Sequence, residues 1–373
     1  MRRNVSAFII VVSLAVADQV CAVADFSVTS EATKTLDSTI THVNYVKQWT
    51  LTATDVNDAD DKIDSLNLDL SGRVFVSYVS GMASGVLGYV NVTGDSQEVV
   101  EVVSVRTNDD DDEQLHVRID NITGSSSVNG YLLTEIFLSA SSIVTDVKSQ
   151  RSAEVVIQDG VLVASDTDEE LQLELSRSSS VYVSSDGTAV SLKQLKLELS
   201  DTASLQFNVD SVTISEDAKL EAHDSSSITV LASSFKADKL ELDAEDSGTI
   251  CIAAADVTAS SYDGEEASKI SMPESSNKYD STGSFACEEL SVPAREPKCM
   301  SSSCPSNSTS TNASGSSIVA VGSGSEVAGD TTASTSAVAD ESTSSSTSGA
   351  GLRYAALGFD AALVVGLSLG GML

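Results

Sequence analysis

The sequence predicts an all-β protein, a parallel β-solenoid head followed by a disordered, Ser/Thr-rich C-terminal stalk. Three observations carry that expectation. Short segments alternate apolar and polar side chains almost without a break over residues 25–297, the period-two mark of strands. Within them a strand–turn–strand unit recurs about every two dozen residues, the mark of a stacked coil. Over residues 301–350, Ser and Thr fill 25 of 50 positions, which leaves too little apolar surface to fold and reads as a glycosylated stalk.

The chain opens on a basic Met1-Arg2-Arg3, a short apolar run at 7–16 and the small-residue exit Ala22-Val23-Ala24. These are the three parts of a secretory signal peptide over residues 1–24. A membrane anchor would need ~20 apolar residues, and Asp18 and Gln19 interrupt the run. Residues 25–165 read as an N-terminal β region of the head, with clear alternation at 66–70, 74–79, 115–119 and 154–157. No amphipathic helix of useful length stands out.

Residues 166–297 hold the repeats. LQLELSRSSSVYV at 171–183 returns as LKLELSDTASLQF at 195–207, LEAHDSSSITV at 220–230 and LDAEDSGTICI at 242–252. Leu173, Leu197, Leu220 and Leu242 align, so the spacing starts near two dozen and shortens at each step. In a parallel coil the Leu, Ile and Val side chains point inward and successive turns stack ~4.8 Å apart. Ser180, Ser204, Ser227 and Thr249 then form a hydroxyl ladder, and Asp201, Asp224 and Asp246 stand in a column on an outer turn below Arg177. An antiparallel sandwich of look-alike strands is the alternative; repetition of the turn residues favours the coil. Like charges stacked this way repel, so the Asp201/Asp224/Asp246 column is the candidate Ca²⁺ site. The run Asp109-Asp110-Asp111-Asp112-Glu113 and the group Asp58, Asp60 and Asp61 lack EF-hand spacing and read as solvated loops.

Cys21 leaves with the signal peptide, and Cys251, Cys287, Cys299 and Cys304 remain. Four cysteines in an exported chain read as two disulfides. Of three possible pairings, Cys251–Cys287 with Cys299–Cys304 closes the shortest loops. Zinc is the poorer reading, since no histidine lies near and no CxxC occurs. N-glycosylation sequons begin at Asn91, Asn121, Asn307 and Asn312.

The stalk spans 298–348. Ser348, Gly349 and Ala350 are followed by a spacer at 351–360 and an apolar tail at 361–373. This is the order of a glycosylphosphatidylinositol (GPI) signal, with Ser348 as the attachment residue and 349–373 as the removed propeptide. Signal and tail together point to the extracellular face of the plasma membrane, with the lipid anchor as the membrane contact.

The net charge of -34 excludes the clustered basic surface that nucleic acid requires. Aromatic residues make up 5% of the chain, which suits a thin stacked core. The three histidines, His42, His116 and His223, fall in no metal spacing, and no G-x-S-x-G occurs. His223-Asp224-Ser225 lists triad residue types, but neighbours in sequence cannot adopt triad geometry, and it reads as a turn. A carbohydrate-active β-helix enzyme is the rival class. It would need a paired acid and base and aromatic sugar platforms, whereas the repeats offer only Tyr182, Phe207 and Arg177 beside their Ser and Asp. No catalytic residue and no cofactor beyond Ca²⁺ is expected.

The recurring L-x-L-x-[SD]-x-S-x-[VI]-x-[VI] pattern, preceded by the strands at 72–76, 88–95 and 115–119, resembles the head GIN domain of auto-transporter adhesins, over residues 46–272. The resemblance implies a right-handed β-helix-like fold, a surface location, an adhesive role and no catalytic residues. Most of the family's turn glycines are replaced here by Ser, Asp or Ala, with Gly248 left, and the cysteines and anchor signal are additions. The reading is a GPI-anchored glycoprotein with a non-catalytic adhesin-like or cell-envelope role, partnered by an extracellular or cell-wall glycan or protein; a coat protein without a dedicated ligand is the second alternative.

Overall fold

A computed structural model of the chain describes residues 26–55, 62–107, 113–120, 128–265, 267–277, 279, 282–283, 285–301 and 304. They belong to a unit ending at Ser308. The signal segment, Asp58, Asp60, Asp61, Asp109 to Asp112, Asn121, Asn307, Asn312, Ser348 and almost all of the stalk lie outside the described residues.

The N-terminal end is an antiparallel cap. Strand β1 (Phe26–Ser30) and the two-residue β2 (Lys34–Thr35) both pair antiparallel with β3 (Tyr45–Ala53). Next comes β4 (Ser65–Tyr78), then β5 (Val86–Gly94), antiparallel to β3. A single helical turn, α1 (Gln97–Glu101), starts where the Ser96 hydroxyl accepts the Val99 N–H at 3.2 Å, and it buries Val99 and Val100. Strands β6 (Val103–Thr107) and β7 (Gln114–Ile119) form an antiparallel pair, and β8 (Tyr131–Leu138) runs antiparallel to β5.

The parallel stack begins earlier in the chain than the repeats do. Strand β4 turns a corner at Gly72, where φ is +89° and a Cβ would stand 2.8 Å from the Leu132 carbonyl oxygen. Its two halves therefore lie in two different faces. They pair in parallel with β7 and β8 on one side and with β9 (Asp146–Gln158) on the other. Ser65 sits opposite Asp146 and Val76 opposite Ile157, with no register shift between them. The chain thus lays down β4, departs to build β5 to β8, and returns on β4's free side.

From β9 onward each turn of chain crosses three faces, giving a parallel solenoid of about five turns. Its strands are β10 (Ser165–Leu175), β11 (Ser180–Leu199), β12 (Ser204–Ala222), β13 (Ser227–Leu231), β14 (Ser234–Ala244), β15 (Thr249–Ala253), β16 (Asp256–Glu265) and β17 (Ile270–Ser271). Leu173, Leu197, Leu220 and Leu242 stack in register on the first face, as the sequence predicts. Val183, Phe207, Val230 and Ile252 do so on the second, and Val190, Val212, Phe235 and Val257 on the third. All twelve are buried. The sandwich alternative is excluded, because every pairing from β9 to β17 is parallel. Along the first face the stack runs Val147, Leu173, Leu197, Leu220, Leu242 and Gly264. The chain length between successive members falls and never rises, so the turns shorten and the coil tapers.

Candidate functional site

The corner between the first and second faces is where the aspartate column stands. Arg151, Arg177, Asp201, Asp224 and Asp246 all have positive φ, between +49° and +69°. Asp tolerates this left-handed conformation better than most residues because its short side chain bonds locally. The Asp201 carboxylate accepts the Arg177 backbone N–H at 2.8 Å, and the Asp224 carboxylate accepts the Asp201 N–H at 3.0 Å. Each binds the turn above, so a column that looked repulsive in sequence is a stack of charge-assisted hydrogen bonds. Among the described residues no group of three or more His, Cys, Asp or Glu side chains converges as a metal site. Gly248 plays another part than a left-handed turn, which falls to Asp246. A Cβ at 248 would lie 2.0 Å from the Ala222 carbonyl oxygen, so close approach requires the glycine. His223 Nδ1 meets Glu245 at 3.2 Å beside this turn.

The outer side of the second face carries the hydroxyl ladder. Ser180, Ser204, Ser227 and Thr249 are in register, extended upward by Glu154, and the Ser204 hydroxyl donates to Ser180 at 2.9 Å. Two residues along each strand runs a second outward column: Phe75, Val156, Tyr182, Gln206, Thr229, Cys251 and Ser271. An outward column of a solenoid normally meets water, yet Phe75 is 4% and Val156 1% exposed.

A strap formed by residues 285–301 covers it. The Ser271 hydroxyl donates to the Phe285 carbonyl at 2.6 Å, and Cys251 is disulfide-bonded to Cys287. Farther along, the Leu290 N–H donates to Gln206 Oε1 at 2.6 Å, and Gln206 Nε2 donates to the Leu290 carbonyl at 3.0 Å. Arg73 donates to the Ala294 carbonyl at 2.7 Å. The Arg295 guanidinium lies 5.0 Å from the Phe75 ring centroid, donates to Ser77 at 2.8 Å and pairs with Glu135 at 3.3 Å. The strap ends as β18 (Lys298–Cys299), antiparallel to β8, and Cys299 closes on Cys304. Both disulfides form as the loop lengths suggest.

The strap climbs eight rungs, from Ser271 at Phe285 to Glu135 at Arg295, about 34 Å at ~4.8 Å per rung; the intervening residues reach about 33–36 Å when fully extended, so the strap runs nearly taut. It carries the backbone from the last coil back to the cap, so Cys304 lies beside Gly130, between β7 and β8.

Charge is arranged under the strap. Glu154 receives Lys298 at 2.6 Å and Arg73 at 2.8 Å. Burial would raise its pKa, but the hydrogen bonds and the positive charges of Lys298 and Arg73 together outweigh burial and hold the carboxyl below its usual value. Glu135 is raised, because burial exceeds the attraction of Arg295. Tyr182 is raised by burial and by the nearby Glu154 carboxylate.

The outer side of the first face is a zipper of half-buried ion pairs: Lys148 to Glu174 at 2.6 Å, Lys196 to Glu198 at 3.0 Å, Lys219 to Glu221 at 2.9 Å, and Lys239 to Glu241. Solvent screening leaves each pair only a small contribution to stability. By register one outward column runs Lys148, Glu174, Glu198, Glu221 and Asp243, with Lys196 and Lys219 stacked in the column beside it, so the face is mainly acidic at strand spacing.

Asn91 lies mid-strand in β5, opposite Gln48 and Glu135, with its Oδ1 buried and without a hydrogen-bond partner. The Thr93 of this sequon is also buried. Sequence reasoning missed the strap. Its signal is in the strands: Val74-Phe75-Val76 and Val155-Val156-Ile157 are apolar on both sides, the pattern of a strand covered on both faces.

No family model matches the chain, and no curated protein does, so the resemblance to head GIN domains stands as a resemblance. Among solved structures, a "putative adhesin" from Bacteroides fragilis aligns over 54% of this chain and 89% of its own, at 10% identity and a TM-score of 0.33. A "putative adhesin" from Parabacteroides distasonis aligns over 65% and 96%, at 12% identity and 0.33. A "putative lipid binding protein" from the same organism aligns over 54% and 90%, at 13% identity and 0.30. No helix among the described residues is long and apolar enough to cross a membrane.

Proposed function

We propose that the chain is an exported glycoprotein held at the cell surface, whose solenoid head makes non-catalytic, adhesin-like contact with an extracellular glycan or protein. The observation that carries this reading is the strap. Two disulfides, one at each end of it, are the usual choice of proteins that fold in an oxidising compartment. The signal segment 1–24 supports export, and the order Ser348, spacer and tail supports a GPI anchor. Sugars on Asn121, Asn307 and Asn312 and on the Ser/Thr-rich stalk would keep the head apart from the membrane. Transfer to Asn91 would have to precede the pairing of β5. Contact through the outer sides of the ion-pair and ladder faces would be multivalent, many weak polar contacts at strand spacing.

An epitope tag placed after Ala24, in cells expressing the full chain, tests export and anchorage together. Phosphatidylinositol-specific phospholipase C is expected to release the tag into the medium. Retention on the cells, while a control anchored protein is released, contradicts the lipid anchor. A tag inaccessible to antibody on intact cells contradicts surface display altogether.

A further inference from the structure

The taper of the coil leaves the interior open at the corner between β11 and β12. Ser185 sits opposite Val209, but Ala189 sits opposite Ser211, so the corner of β11 takes four residue steps where β12 below it takes two. The surplus bulges outward: a Cβ on Gly187, at its crest, would meet nothing within 4 Å. Above it, the corresponding stretch of the β9 turn is held by the isolated Val144–Leu162 bridge. A cavity of about 380 Å³ results. Its floor is Phe207 and Val209, and its walls include Leu171, Val183 and Val190, side chains that belong to the solenoid core. Val190 is 5% exposed, whereas Val212, Phe235 and Val257 stacked beneath it are wholly sealed.

The mouth is polar. Ser142, Ser185, Thr188 and Asp159 line it, and the Thr188 hydroxyl donates to Asp159 at 2.5 Å. Asp159 is the sole charged residue among those lining the cavity, and none is Lys, Arg or His. An anionic head would face that carboxylate on a chain of net charge -34 without a cation to receive it. Apolar cavities of about 150 Å³ already take benzene, so this one has room for roughly ten carbons.

We propose that the cavity binds a neutral amphiphile, with an alkyl chain lying against Phe207 and Val209 and a hydroxyl head at the Ser185–Thr188 mouth. The site is independent of surface contact by the outer faces.

The probe is N-phenyl-1-naphthylamine, a neutral dye that brightens in apolar surroundings, added to the full chain produced through a secretory host. Straight-chain alcohols from hexanol to dodecanol are expected to displace it, about fourfold more tightly per methylene, levelling off near decanol. Decanoate at pH 7 is expected at least tenfold weaker than decanol. Val209→Phe fills the floor and is expected to weaken decanol at least tenfold. Asp159→Lys alters an exposed rim residue, outside the packed core, and is expected to shift the preference towards decanoate by tenfold or more, so the test survives if Val209→Phe fails to fold. Absence of displacement, no dependence on chain length, or dye binding unaltered by Val209→Phe overturns the site. Equal affinity for decanol and decanoate, or a preference that Asp159→Lys leaves unmoved, overturns the neutral-head assignment.

Discussion

The strap makes a sharp demand on the two disulfides. Removing Cys251–Cys287 by the double substitution Cys251→Ala/Cys287→Ala frees a loop of 36 residues. Loop-closure entropy puts that loss at about 4 kcal/mol, close to a thousandfold in the folded-to-unfolded ratio. Cys299–Cys304 closes 5 residues, for which the same relation gives about 2 kcal/mol. The Cys251–Cys287 staple also holds the strap against the column of Phe75, Val156, Tyr182 and Gln206, so its loss acts on the native state too. Urea unfolding of each double variant, followed by far-ultraviolet circular dichroism and by emission from Trp49, the chain's one tryptophan, measures the difference. Hydrogen exchange at the Leu290 amide, which Gln206 holds, reports whether the strap stays down. The expected order is wild type, then Cys299→Ala/Cys304→Ala, then Cys251→Ala/Cys287→Ala as the least stable, with Leu290 protection falling most in the last. A Cys251→Ala/Cys287→Ala midpoint at or above the other variant's, with Leu290 protection intact, would refute the strap as a stapled cover.

Other perturbations probe single contacts. Asp201→Ala removes the acceptor for the Arg177 N–H and places a residue poorly suited to φ of +61°; a loss of about 2–3 kcal/mol in urea unfolding is expected, with Asn at the same position recovering more than half. Gln206→Ala orphans both the N–H and the carbonyl of Leu290 and is expected to cost about 1–3 kcal/mol, with protease cleavage appearing within 285–297. Glu154 has its folded pKa below the unfolded value, so its contribution is complete above about pH 4.3 and is lost as pH falls through the depressed folded value. Glu154→Gln is therefore expected to be less stable than wild type at pH 7, and the gap to close in unfolding curves taken at increasingly acid pH. A gap that persists undiminished in strong acid counts against the ion pair.

How far the sequence could be read depended on distance along the chain. The repeats at 171–252 were legible because one turn of coil is one repeat, so stacking neighbours recur about every two dozen positions and keep the same residue types. The partnership of β4 with β9 was not, since β5 to β8 intervene and nothing local records which strand will return to which edge. The boundary at 165/166 fell where the repeats became visible, after the parallel stack had already begun. The aspartate column was seen in position but its role was not, because the sign of φ and the N–H it faces belong to the turn's backbone. The shrinking period held the cavity in outline: two surplus residues between Ser185 and Ala189 are visible as arithmetic, yet only the register shows that they fall at a corner.

The central claim, that the folded head is itself a contact surface, is tested most directly by coating beads with the disulfide-intact head and counting those retained under flow on a monolayer of cells. Matched beads carrying only the 305–347 stalk, and beads carrying the head after reduction and unfolding, serve as references. Retention of the head-coated beads well above both, reduced by soluble folded head in excess, is the result expected. Equal retention of all three contradicts an adhesive head and leaves the solenoid as a structural coat.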